Sequence, residues 1–166
     1  MNLSFSFAIL ITALLLLSCA SSSQQREFER DAFQDPLGIT RTNAQGEVQN
    51  TDDDDWRISP LFQSIVEVNP PFPNPAAVGD RITFEIAVTG VQAVEGIVVF
   101  ERLNNGNLAE LFSTVDTQTS TTFIVFELNP LLLQDLGNGN GPRGLHRILI
   151  YDFNNQLISY GDVEIE

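Results

Sequence analysis

The chain has 166 residues with 22 acidic and 8 basic side chains, one Cys and one His, and a formal charge of −14. Every basic residue is Arg, which excludes lysine Schiff-base and phosphate-loop chemistry, and so acidic a chain has too few cations to neutralise a nucleic-acid backbone. A single Cys excludes an internal disulfide framework and a thiolate metal cluster, and the length suits one domain with a tail.

Residues 5–17 form an apolar run that leads directly into Ser18, Cys19 and Ala20. As a helix it would span about 20 Å, short of a hydrocarbon core of about 30 Å, and it has the size of a signal-peptide h-region. Leu16-Leu17-Ser18-Cys19 resembles the bacterial lipobox, in which a small residue precedes a Cys whose thiol accepts a diacylglyceryl group. The resemblance implies a lipoprotein signal peptide over residues 1–18 and cleavage between Ser18 and Cys19. It also implies a diacylglycerol thioether on Cys19, with fatty acyl chains such as palmitate. Read without the resemblance, the residues leave two alternatives, an ordinary secretory peptide with a chance Cys and a short retained anchor. Each buried CH₂ contributes about 0.8 kcal/mol, so two or more acyl chains hold a protein stably at a membrane. Ala20 occupies the position where Asp is associated with inner-membrane retention, which points to the outer membrane. Ala20-Ser21-Ser22-Ser23 lacks the acids associated with surface export, so a periplasm-facing placement is preferred to surface exposure.

Residues 19–56 show no apolar period and carry nine acidic residues against Arg26, Arg30 and Arg41. Such a segment is expected to be a mostly disordered linker, with at most a turn or two of helix over residues 27–33. As a flexible chain it would span roughly 35 Å. Asp52-Asp53-Asp54-Asp55 offers hard-cation ligands, but four consecutive residues do not converge on one ion, and a solvated acidic run is the expectation. No metal and no cofactor are assigned. Trp56 beside this run reads as a plug over one end of the following core.

From residue 57 to residue 166 the pattern changes to period two. Strands are predicted over residues 64–68, 81–88, 96–103, 108–112, 121–128, 145–152 and 157–165. Asn104-Asn105-Gly106-Asn107 and Phe153-Asn154-Asn155-Gln156 are hairpin signals, because Asn and Gly tolerate positive φ. Residues 130–136 hint at a single helical turn. Seven strands in about 110 residues predict an all-β fold, a seven-stranded immunoglobulin-like antiparallel β-sandwich after a disordered N-terminal tether. No disulfide is needed for a core of this size.

Pro70-Pro71-Phe72-Pro73-Asn74-Pro75, the alternating Ile82-Thr83-Phe84-Glu85-Ile86 and the glycine-led Gly144-Leu145-His146-Arg147-Ile148-Leu149-Ile150 carry a second resemblance. Residues 64–166 are similar to the C-terminal sandwich of proteins exported by type IX secretion and to the immunoglobulin-like domain of flagellar hook-capping proteins. This likeness implies the sandwich fold and a bacterium with two membranes. The chain closes on Asp162-Val163-Glu164-Ile165-Glu166 where those sorting domains close on basic residues, so a sorting role is an alternative only.

No catalytic residue is assigned. His146 shares strand parity with Ile148 and Ile150, which suits a packed or surface residue rather than a base. Gly137-Asn138-Gly139-Asn140-Gly141-Pro142 lacks the following helix that a phosphate loop requires and reads as an inter-strand loop. The expected function is a non-enzymatic, membrane-anchored envelope lipoprotein whose sandwich is an interaction or structural module for an envelope protein or a glycan. The alternative from another class is a carbohydrate-binding or hydrolytic accessory protein. That would need an exposed aromatic platform from Trp56, Tyr151 and Tyr160, or a close carboxylate pair.

Overall fold

Where the sequence alternates, the backbone is extended and one face is buried. The computed structural model describes residues 23–89, 94–115, 121–134 and 141–166. Among these the strands are β1 (Arg41–Thr42), β2 (Val48–Asn50), β3 (Val66–Phe72), β4 (Ile82–Thr89), β5 (Gly96–Arg102), β6 (Leu108–Val115), β7 (Thr121–Leu128), β8 (Gly144–Asp152) and β9 (Leu157–Ile165). β4 shows the cause plainly: Ile82, Phe84, Ile86 and Val88 are buried while Thr83, Glu85 and Ala87 face outward and are partly exposed.

β3-β4-β7 form one antiparallel sheet and β6-β5-β8-β9 the other, the immunoglobulin-like order expected for the seven longer strands. The core lies between them. Phe84 stacks on Phe126 at 4.8 Å and Phe126 on Phe112 at 4.1 Å, so an aromatic column crosses from β4 and β7 to β6. Ile97 and Val99 of β5, Ile148 and Ile150 of β8, and Val163 and Ile165 of β9 complete it. Each such side chain contributes about 1.5–3 kcal/mol by leaving water.

Both predicted hairpins form. Gly106 takes a φ of +82° between β5 and β6, and Asn155 a φ of 59° between β8 and β9. In the second turn the Asp152 carboxylate accepts the N–H groups of Asn154 (2.9 Å) and Gln156 (2.8 Å). The helical hint is a 3₁₀ turn, Pro130–Leu132, capped by the Asn129 side chain on the N–H of Leu131.

The strand count is nine rather than seven, and the two extra strands lie in the segment expected to be linker. Residues 19–22 are outside the described residues; from residue 23 onward the chain is folded against the sandwich. A helix, α1 (residues 23–32), covers the outer face of β8 and β9, with Phe28 and Ala32 packed on Leu149, Leu157 and Tyr160. β1 and β2 pair as a short hairpin. Phe28 and Ala32 lie one helical turn apart, but the other buried apolar residues, Ile39 and Trp56, are too distant to extend that spacing into a period. Phe28, Ala32 and Trp56 nevertheless meet prepared surfaces, and these non-local contacts offset the ordering entropy that composition alone leaves uncompensated.

The chain from Trp56 to Ala76 closes the open edge of β9. Trp56 and Ser59 donate their N–H groups to the carbonyls of Tyr160 (2.7 Å) and Ile158 (2.8 Å). Asn74 takes the carbonyl of Asp162 (2.9 Å) and the N–H of Glu164 (3.0 Å) through its side chain. Ala76 then exchanges two backbone bonds, with the Glu164 carbonyl and the Glu166 N–H. An edge that would otherwise template aggregation is satisfied along its length.

Candidate functional site

The polar groups that the fold gathers most densely lie on the outer face of β8 and β9, beneath α1. Alternation turns Arg147, Leu149 and Tyr151 outward from β8, and Tyr160 and Asp162 outward from β9. Register places Arg147 opposite Asp162. The guanidinium grips Asp162 with a fork, Nε to Oδ1 and Nη2 to Oδ2 at 2.9 Å, and both side chains are buried. Burial opposes charge on both partners, raising Asp162, yet the bidentate geometry holds Arg147 above its ordinary range and favours the ionised pair.

The remaining Arg147 nitrogen, Nη1, donates to the carbonyls of Asp31 and Ala32, each at 3.3 Å. These are the last carbonyls of α1, so a cation stands at the negative end of the helix dipole and fastens it to the sheet. Arg147 lies 5.0 Å from the Tyr160 ring centroid and Arg57 5.7 Å, while Phe28 packs on the same ring at 5.0 Å. Arg57 also donates to the Tyr160 hydroxyl. Burial pushes the Tyr160 phenol up, against the pull of Arg57.

The tetra-aspartate run splits. Asp53 and Asp54 are exposed and, with Asp31, Asp35, Arg57 and Arg147, line an open groove of about 360 Å³. Asp55 turns inward, contrary to a uniformly solvated run, and its two oxygens accept the N–H groups of Thr40 (2.7 Å) and Asp162 (2.9 Å). Burial, with Asp162 and Asp52 nearby, pushes Asp55 up to about 7 despite those two bonds. Its role is to replace a missing strand residue between β9 and the segment before β1. Among the described residues, no group of three or more His, Cys, Asp and Glu side chains is placed to hold a metal ion.

His146 points into the protein, as its parity with Ile148 and Ile150 suggests. Nε2 lies 2.6 Å from the Pro142 carbonyl and donates there, and Nδ1 hydrogen-bonds with Glu101 Oε1 at 2.7 Å. Glu101 also accepts the N–H of Gln134. Both ring nitrogens are committed and both side chains are buried, so the pair ties β5, β8 and the ends of the intervening loop together. Residues 137–140 of the glycine-rich loop lie outside the described residues.

Trp56 is buried within the core, edge-on to Phe84 at 5.8 Å. It packs across Gly161, where a Cβ would stand 2.5 Å from its Cδ2. Tyr160 is buried as well, so neither ring offers an open platform for a sugar. Cys19, Ser18 and the rest of the lipobox lie outside the described residues.

Sequence reasoning missed Arg147, Asp162, Asp55 and Arg57 as a group. One signal was available: counting outward from the Asn154-Asn155 turn pairs an Arg with an Asp on one face of the terminal hairpin. Nothing local marked Asp55 over its three neighbours. No helix among the described residues is long and apolar enough to cross a membrane. No known protein family matches the chain, and no curated protein matches it in sequence.

Proposed function

We propose that this chain is an envelope lipoprotein, anchored through lipid on Cys19 and carrying its β-sandwich as a non-catalytic interaction or structural module. The observation that carries the reading is Leu16-Leu17-Ser18-Cys19, closing a thirteen-residue apolar run with the only Cys in the chain. Cleavage falls between Ser18 and Cys19, and the outer membrane, on its periplasmic side, is the proposed location. A non-catalytic role is supported by the commitments of the polar groups. His146 spends both nitrogens on Glu101 and Pro142, and Arg147 and Asp162 spend theirs on each other and on α1. The acidic surface repels anionic lipid, which leaves the acyl chains to supply the attachment.

Labelled palmitate fed to cells making the full chain should enter the wild-type protein and not Cys19→Ala. Equal labelling of the two would overturn the proposal.

A further inference from the structure

Folding of residues 23–56 shortens the distance between Cys19 and the domain. Three residues separate Cys19 from the start of α1 at Ser23, and whatever their conformation the four steps span at most about 14 Å. A lipidated Cys sits near the inner limit of a head-group layer some 5–8 Å deep. The amino end of α1 is therefore held within about 10 Å of the lipid surface, not about 35 Å above it.

Which part of the sandwich this brings down follows from the direction of α1. Its carboxyl end is fixed at Arg147, near the start of β8, and Phe28 lies over Tyr160. Ten helical residues cover about 15 Å, so the amino end lies level with Tyr151 and Leu157, beside the β8–β9 turn. Residues 60–64 reach the same end, because the chain from Trp56 to Ser59 runs along β9 toward its first residue. Gln63 lines a groove of about 560 Å³ with Gln24, Glu27 and Phe28 of α1.

We infer that the domain rests end-on upon the lipid surface of the membrane that holds Cys19, through residues 60–64 and the turn at residues 153–156. The inference rests on the lipid-anchor reading above and adds the orientation and the contact surface. Neither segment carries a charged side chain, and each presents an apolar residue to solvent, Leu61 at 49% exposure and Phe153 at 38%. Asp31, Asp35, Asp53 and Asp54 gather instead at the opposite end of α1. An anionic lipid surface repels that acidic end more strongly than the uncharged segments 60–64 and 153–156, so charge and chain length select the same orientation.

With the Cys19 thiol consumed by lipid, an introduced Cys is the only site for a fluorophore. The lipidated full chain, as Gln63→Cys, Asn154→Cys or Asn105→Cys, is placed in vesicles of phosphatidylethanolamine and phosphatidylglycerol carrying a head-group quencher. Asn105 lies in the β5–β6 turn at the far end of strands that are about 25–30 Å long. Quenching at positions 63 and 154 should exceed that at position 105 several-fold. Equal quenching at all three positions, or stronger quenching at 105, would overturn the orientation. The intact mass of the same samples separates the two claims. Acyl mass on Cys19 with equal quenching defeats the orientation alone, and no acyl mass defeats the anchor and the orientation together.

Discussion

Replacing Arg147 by Met tests whether the ion pair under α1 holds the N-terminal segment to the sandwich. Met fills much of the Arg stem's volume but leaves the Asp162 carboxylate buried and without its fork. Breaking a buried pair from one side costs about 3–5 kcal/mol. The loss of two contacts to the last α1 carbonyls adds to that, because they are the helix's polar link to β8. A domain of this length loses about 2–4 °C of melting temperature per kcal/mol, so a fall of about 6–20 °C is expected. Urea denaturation of a chain starting at residue 20 measures the free energy, and amide exchange over residues 23–32 should accelerate. Arg147→Met with Asp162→Leu removes the stranded charge and should recover more than half of the loss. The single variant should also be less harmful at pH 4, where Asp162 can take up a proton. A loss below about 1 kcal/mol, or a double variant no better than the single one, would refute the assignment of this pair as the fastening.

Three further outcomes are expected. The Asp55 carboxyl titrates near 3.8 when unfolded and near 7 when folded, so between those values only the folded chain keeps the proton. Its contribution is complete at low pH and declines as pH rises through 7, by at most about 4 kcal/mol and by about 2 after allowing for partial access of water. The wild-type advantage over Asp55→Asn should accordingly narrow between pH 5 and pH 8 in urea titrations; a constant difference would count against it. Gly161→Ala sets a methyl group against the Trp56 ring and should cost about 1–3 kcal/mol, part of which Trp56→Leu in the same chain restores. Glu101→Leu leaves His146 Nδ1 and the Gln134 N–H without their acceptor and should cost about 3 kcal/mol, with faster proteolysis of the loop between Leu133 and Gly144.

The seven longer strands were legible because each carries its own evidence. Ile82, Phe84, Ile86 and Val88 alternate without interruption, and Asn105-Gly106 and Asn154-Asn155 mark their turns locally. β1 and β2 were not legible, since two or three residues cannot establish a period. α1 was visible only as a hint of a turn or two, because Phe28 and Ala32 form a narrow stripe that needs Leu149 and Tyr160 before it is worth burying. The parity of His146 told which way it points, but not that Glu101, forty-five residues earlier, would meet it there.

The sequence by itself determined what neighbouring residues decide among themselves: the alternation of the strands, the turns that join them, and the apolar run ending at Cys19. Tertiary structure alone decided that the acidic segment is folded, that Asp55 turns inward while Asp53 and Asp54 do not, and that Trp56 lies within the core. The division has a physical cause. Strand and turn preferences act over a few residues, whereas burial of a sparse apolar stripe or a charged pair becomes favourable only when a partner distant in sequence supplies the opposing surface. For α1 that surface is the outer face of β8 and β9, more than a hundred residues further along the chain.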